Sequence, residues 1–354
     1  MNYYPMLFKP IYKQAVWGGT RMRELFGRDL PFERTGESWD VCCRETDMSV
    51  VENGALAGER FIDVINGSPE PVLGEKIYTA GYKAFPLLVK LIDATMDLSV
   101  QVHPGDSFAA DFEGEPFGKN EMWYISEAPP NSSIVIGLSD GVTREALNDS
   151  LDNGNAEALF RRLGVRKGDI ISIPAGAVHA IPAGVMVYEI QQNTDVTYRL
   201  YDYARLGIDG KPRELHIEKA LDAIDYSGGQ RKTAIPGLKP HGGASGITYY
   251  IANKSYAVEK LSVSDGMAVP ADRGRFHILT CVSGSCTIRT GTEDIRIGLS
   301  RSAFMPAWTG AYVIAGRCEL LKSYVPDVGN DFIKPLLESG FSLDDIAAFT
   351  DCSI

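Results

Sequence analysis

Hydrophobic residues in this chain recur mostly with a period of two, in short runs closed by Gly, Pro, Asn or Asp. Such runs lie at residues 85–92, 98–103, 121–125, 133–137, 169–173, 185–191 and 196–202. More follow at 256–263, 276–282, 286–290, 295–297, 303–306, 312–314 and 319–324. Many short strands with regular turn punctuation predict a mainly β protein of jelly rolls or barrels, not a parallel α/β sheet. Helical periodicity is local, at 21–26, 58–66, 143–153 with Thr143 as N-cap, and 155–163. Residues 228–245 (GGQRKTAIPGLKPHGGAS) show neither period and read as a linker. Helical spacing returns at 332–339 and 343–349, with Gly340 closing one helix and Ser342 capping the next. The expected organisation is a first β domain at 1–235 with a helical insertion at about 143–163, a second at 236–327, and a small helical tail at 328–354.

The two β regions align weakly with each other. GKNEMWYI (118–125) falls beside GRFHILTC (274–281), and PAGAVHAI (174–181) beside PAWTGAYVI (306–314). His277 then takes the place of Glu121 and Ala311 that of His179, so the second copy is expected to keep the shell without the first copy's polar centre.

Composition narrows the function. A length of 354 residues exceeds what one core usually supports, which agrees with two domains. A hydrophobic fraction of 44% and a charged fraction of 23% are those of a globular protein. The net charge of −11 argues against nucleic-acid and anionic-membrane partners. Six cysteines without CxxC spacing, no apolar leader and no 18-residue apolar run indicate a reduced, cytoplasmic protein.

Four side chains have the parity of a metal site: Gln101 and His103 in SVQVHPGD, Glu121 in GKNEMWYI and His179 in PAGAVHAI. Residues i and i+2 of a strand share a face, so Gln101 and His103 project together while Val100 and Val102 point the other way. Two imidazoles, a carboxylate and an amide oxygen suit zinc or another borderline divalent ion, one per chain. Lys119 shares the parity of Glu121. Lys90 stands alone in the apolar run AFPLLVKLIDA, where a buried ammonium needs a partner or an anion; outward snorkelling from an edge strand is the competing reading. Asp195, Thr197 and Arg199 alternate on one face. Arg199 suits phosphate or carboxylate oxygens, and Asp195 a proton-transfer role. Lys90, Lys119 and Arg199 together predict an anionic small substrate. Trp17, and Glu37 with Trp39 in GESWD, stand where a sugar site would be lined, although buried core is an equal reading for the aromatics. His216 and His241 are expected to be structural or solvated.

The blocks VWGG (16–19), GESWDV (36–41), LLVKLIDA (87–94), LSVQVHPGD (98–106), GKNEMWYI (118–125), PAGAVHAI (174–181) and YEIQQNTDVTYRLYDYAR (188–205) resemble type I mannose-6-phosphate isomerases of the cupin superfamily. The resemblance covers most of the chain before the linker. It implies a catalytic cupin jelly roll (a double-stranded β-helix) with a helical insertion, followed by a metal-free second jelly roll. It implies zinc at Gln101, His103, Glu121 and His179, and an active-site arginine at Arg199. Lys90, Lys119 and Asp195 fall on pocket-lining positions. The implied reaction interconverts mannose 6-phosphate and fructose 6-phosphate through a metal-stabilised enediolate, with Lys119, Asp195 or a metal-bound water moving protons, or through a hydride shift. A non-catalytic or regulatory sugar-binding cupin, and an isomerase or epimerase of another phosphosugar, are the alternatives. A monomer or homodimer is expected. The chain departs from the family pattern in the cysteines of GESWDVCC and in the tail beyond Asp327.

Overall fold

The computed structural model describes residues 3–81, 84–227, 233–240 and 243–352. Contacts divide the chain into two compact units built from interleaved segments: Tyr12–Trp39 with Val89–Ala234, and Met1–Ile11 with Asp40–Leu88 and Ile235–Ile354.

The first of these units carries two sheets. One runs in the order Ile11–Gly19, Thr35–Val41, Leu87–Asp93, Met186–Gln192, Glu121–Glu127 and Ile170–Ile173. The other runs Tyr198–Tyr201, Val100–Val102, His179–Ala180, Ser133–Leu138 and Phe160–Gly164. Side chains of alternate residues from both sheets form one interior, including Trp17, Ile92, Trp123, Ile125, Ile136, Ile173 and Val187. Val100, Val102, Val135, Tyr198 and Leu200 pack on the other face of the smaller sheet, with Leu147 and Leu221 of the helices Arg144–Asp152 and Ile217–Ala223. This outer layer fixes the parity of the site. Valines 100 and 102 are claimed by the helices, which turns Gln101 towards the interior.

The helix expected at 143–153 is present as Arg144–Asp152, with Thr143 Oγ1 accepting from the Ala146 N–H at 3.2 Å. The helix expected at 155–163 is not. A short 3₁₀ turn, Ala156–Leu159, leads into the strand Phe160–Gly164, which pairs with Ser133–Leu138. The apolar residues at 156, 159, 160 and 163 fit a helical period, but the open edge of the smaller sheet offers Phe160 burial and backbone partners together. Tertiary pairing overrides the local pattern. A helix the pattern did not predict, Asp106–Glu113, follows the first ligand segment.

In the second unit, the helix expected at 58–66 forms as Phe61–Gly67 and is followed by two unpredicted short helices, Pro69–Leu73 and Glu75–Thr79. Phe8, Phe61, Phe85, Phe276 and Phe304 stack in one aromatic cluster. The runs at 276–282 and 286–290 are one strand, His277–Arg289. Gly284 (φ 71°) lets it continue, because a Cβ there would stand 2.2 Å from the Arg317 carbonyl oxygen. Leu261, Leu279, Cys286, Ile297, Met305, Ile314 and Leu320 fill this barrel's core. The tail forms helices Lys334–Glu338 and Leu343–Phe349, with a capping box between Ser342 and Asp345. Phe332, Leu336 and Ile346 bury it against Tyr249 and Tyr324. Of the expected linker, residues 228–232 and 241–242, with His241, lie outside the described residues; Leu238 bridges to Tyr249 and Ala234 to Ile171. Among the described residues no helix is long and apolar enough to cross a membrane.

Candidate functional site

Register across the smaller sheet places Arg199 and His179 on either side of Gln101. Glu121 opens the strand Glu121–Glu127 in the larger sheet, paired with Gln191 and Ile173. His103 lies just past Val100–Val102, where its carbonyl accepts from Gly176 N–H at 2.9 Å and ties the two ligand-bearing loops together. Gly118 sits where the Lys119 segment touches the same loop. A Cβ there would meet the carbonyl carbon of Gly105 at 2.4 Å, so a side chain would push Lys119 and Glu121 out of place.

His103, Glu121 and His179 offer ligand atoms within 4.8 Å of one another. His103 Nδ1 faces the Val196 carbonyl at 2.9 Å, and His179 Nδ1 faces the Ala177 carbonyl at 2.9 Å. A carbonyl only accepts, so both Nδ1 atoms carry the proton and both Nε2 lone pairs point inward. They approach Glu121 at 3.5 and 3.4 Å. His103 Nε2 and Glu121 Oε1 are buried without a hydrogen bond, while Glu121 Oε2 meets the Lys119 ammonium at 3.1 Å. An unmade buried bond costs about 1–3 kcal/mol, and two such atoms aimed at one point fit a cation. The donor chemistry, two imidazoles and a carboxylate, fits a divalent transition metal. Gln101 differs from the expectation in one respect. Its amide nitrogen, not its oxygen, lies nearest His179 Nε2 at 3.3 Å, while Oε1 faces Ser99 Oγ at 3.4 Å. Half a turn of the amide presents the oxygen.

Charges around this centre are arranged in layers. Lys119 Nζ is 3.1 Å from Glu121 and 3.8 Å from Glu189. Lys90 Nζ is 3.4 Å from Glu189, 3.4 Å from Asp195 and 3.6 Å from Glu37. Two ammonium groups thus stand among four carboxylates. Trp39 organises the outer layer: its Nε1–H donates to Glu37 at 2.6 Å and its ring lies 4.8 Å from the Lys90 ammonium. Trp123 Nε1–H donates to Glu189 at 3.0 Å.

Burial drives the imidazoles down, His103 well below its ordinary range and His179 to about 4, so both are neutral and ready to ligate. Burial and the neighbouring Glu189 push Glu121 up to about 7, against the pull of Lys119 and Lys90. Glu189 is held low, because Lys119, Lys90 and Trp123 outweigh its burial. Burial would lower Lys90, but Glu37, Glu189, Asp195 and Glu121 more than offset it and the net shift is upward.

A cavity of ≈ 270 Å³ beside the triad is lined by Trp17, Glu37, Lys90, Gln101, Lys119, Asp195 and Arg199. All the sequence-derived candidates therefore converge on one place, and Lys90 points inward instead of snorkelling. Trp17 is both buried core and cavity wall. Arg199 donates through Nε to Ser99 Oγ at 3.3 Å and through Nη1 to the Glu214 carbonyl at 2.7 Å. His216 accepts the Arg199 backbone N–H at 3.2 Å and so has a structural role. Three polar wall residues escaped the sequence reading: Ser99, Arg213 and Glu189. Glu189 was detectable, as a lone charge in the run MVYEI sharing parity with Val187 and Gln191. Arg213, held by Asp202 through Nε at 2.7 Å, comes from an irregular loop with no period to read.

Comparison with known proteins agrees with this geometry. A family model described as phosphomannose isomerase type I, catalytic domain, matches residues 6–132, and one described as mannose-6-phosphate isomerase, cupin domain, matches residues 246–325. The probable mannose-6-phosphate isomerase GmuF of Bacillus subtilis (strain 168) is 36% identical over 321 residues, covering 91% of this chain and 99% of the relative. The mannose-6-phosphate isomerase of Streptococcus mutans is 30% identical over 320 residues, covering 90% and 98%. The crystal structure of the mannose 6-phosphate isomerase from Bacillus subtilis superposes with a TM-score of 0.83 at 31% identity, covering 90% of this chain and 99% of that one. A putative mannosephosphate isomerase from Archaeoglobus fulgidus shares the fold, with a TM-score of 0.72 at 20% identity over 92% and 99%.

Proposed function

The chain belongs to the type I mannose-6-phosphate isomerase family, and from that premise we propose that it interconverts mannose 6-phosphate and fructose 6-phosphate through an enediolate. The observation that carries this reading is the convergence of a buried His103–Glu121–His179 donor set with Arg199 and two lysines around one cavity. His103, Glu121, His179 and Gln101 would hold a divalent ion, for which zinc suits the donors, and such an ion would supply Lewis-acid polarisation of substrate oxygen.

The remaining work falls to the chain's own residues. Arg199 has no carboxylate ion pair among the described residues, so its free N–H groups can meet charge developing on the enediolate oxygens. Asp195 stands half-exposed at the cavity rim, its carboxylate steered by Lys90 at 3.4 Å, and carries the proton between C1 and C2. Lys119, pinned between Glu121 and Glu189, exchanges a proton with the hydroxyl oxygens. Lys90, Trp17 and Glu37 form the wall that binds the sugar, and Lys90, Arg199 and Arg213 supply the cations a phosphate requires. Six cysteines without CxxC spacing fit a reducing compartment, and we place the enzyme in the cytoplasm.

A coupled assay for fructose 6-phosphate formed from mannose 6-phosphate tests the activity. Run in deuterated water, it should leave deuterium at C2 of recovered mannose 6-phosphate; complete absence of label means a hydride shift. Saturable sugar-phosphate binding without turnover identifies a non-catalytic binding module. Turnover restricted to another phosphosugar identifies a different isomerase or epimerase.

A further inference from the structure

The unit that carries the metal centre holds a second cavity, of ≈ 80 Å³, whose walls include Leu138, Ser139, Arg161, Ala177, Ile224 and Tyr226. Nothing in the isomerase reaction uses it. Three features mark it as a built site.

Arg161 is aimed into it by an irregularity of the sheet. The pairing of Ser133–Leu138 with Phe160–Gly164 shifts register between Val135 and Leu138, opposite Arg161. Such bulges re-aim a side chain. The guanidinium lies across Gly137 (φ 87°), where a Cβ would stand 3.4 Å from Nη2. Its Nε donates to the Ile136 carbonyl at 2.9 Å, and its terminal nitrogens have no acceptor among the described residues.

The walls also select. Leu138, Ile224 and the ring of Tyr226 are apolar surface, while Asp140 and Asp225, both exposed, stand at the lining with Arg161 as the cation. Two rim carboxylates against one guanidinium leave the lining net negative, which opposes a dianion such as phosphate more than a monoanion, so an anion is favoured only where it meets the Arg161 fork directly. A monocarboxylate with a compact apolar body fits this combination, its carboxylate taking the planar fork of Arg161.

Finally, Pro174, Gly176, Ala177 and Val178 form part of the cavity wall, and this turn also anchors both histidine ligands. Gly176 N–H donates to the His103 carbonyl, and the Ala177 carbonyl holds His179 Nδ1, each at 2.9 Å. Gly176 in turn accepts from the Asp225 N–H at 3.0 Å, so the rim and the ligand turn are hydrogen-bonded to each other.

We propose that this cavity binds a small organic monocarboxylate and that occupancy is transmitted to His103 and His179 through residues 174–178. The binding half is independent of the isomerase assignment; the coupling half rests on the metal reading. Benzoate is the probe, titrated calorimetrically into metal-loaded protein, with benzyl alcohol and inorganic phosphate as comparators. Benzoate should bind at one site, at least tenfold more weakly in Arg161→Gln and in Ser139→Trp, which crowds the exposed rim. Saturating benzoate should slow metal release to a chelator several-fold. Equal benzoate affinity in wild type and both variants, or equally strong binding of benzyl alcohol or phosphate, overturns the site. Benzoate binding that leaves the metal-release half-time unchanged overturns the coupling.

Discussion

Lys90→Met removes the ammonium around which the outer carboxylates are arranged. Glu189 and Asp195 each lie 3.4 Å from it and Glu37 lies at 3.6 Å. At an effective dielectric of about 20, each such contact is worth about 5 kcal/mol before desolvation is counted. Burying the ammonium and its partners takes back most of that sum. Loss of the lysine does not strand all three carboxylates equally. Glu37 and Asp195 keep 22% and 51% of their side-chain surface exposed and can rehydrate, whereas Glu189 keeps 4%. Among the described residues Glu189 would retain Lys119 at 3.8 Å and the Trp123 N–H. The expected destabilisation is therefore about 3 kcal/mol, at the low end for breaking a buried pair. Replacing Glu189 by Gln keeps an acceptor for Trp123 and removes the stranded charge, so the double variant Lys90→Met/Glu189→Gln should recover about 2 kcal/mol of that loss. Urea unfolding of metal-stripped protein measures all four corners of the cycle. A single variant within about 0.5 kcal/mol of wild type, or a double variant whose loss equals the sum of the singles, would refute the account of this cluster.

Other expectations follow from the same geometry. His103→Ala should lose both the bound metal and turnover while circular dichroism stays native; an inactive variant still holding a full equivalent of metal contradicts its role as a ligand. Trp39→Phe keeps a ring beneath Lys90 but deletes the 2.6 Å bond to Glu37, so kcat/KM for mannose 6-phosphate should fall about tenfold, the equivalent of about 1.4 kcal/mol. Unaltered steady-state kinetics would remove Glu37 and Trp39 from the substrate wall. Asp202 clamps Arg205 and Arg213 and is held below its ordinary value: burial raises it, but the two guanidiniums outweigh burial. A depressed carboxylate stabilises fully above its unfolded pKa of about 3.9 and loses that contribution as pH falls through its lower folded value. Asp202→Asn should thus be less stable than wild type by about 2–3 kcal/mol at pH 7, since Arg213 is partly exposed, and the gap should close as pH falls through the lowered folded value. A pH-independent gap in urea midpoints would contradict the clamp.

The site was more legible in the sequence than the fold around it. Strand parity is a rule of covalent geometry, so Gln101 against Val100 and Val102 needed no tertiary information, and Lys90 declared itself by its apolar neighbours. Glu189 carries the same mark and lies in the block at 188–205, where the alternation of Asp195, Thr197 and Arg199 drew the reading away from it. Arg213 was beyond reach, since loop residues have no period and its placement depends on Asp202. The 155–163 segment shows the opposite failure, a genuine helical pattern overruled by a sheet edge that only the folded chain provides. The short helices at 69–79 and 106–113 are likewise products of packing, too brief to form on their own. The orientation of the Gln101 amide is set by Ser99, a partner that alternation alone does not name.

The most direct test of the central claim is the joint measurement of metal content and mannose 6-phosphate turnover as the purified protein is stripped with a chelator and reloaded with zinc. The account predicts one divalent metal per chain, activity that falls in proportion to metal lost, and recovery when one equivalent is restored. Full turnover by protein from which all metal has been removed would contradict it.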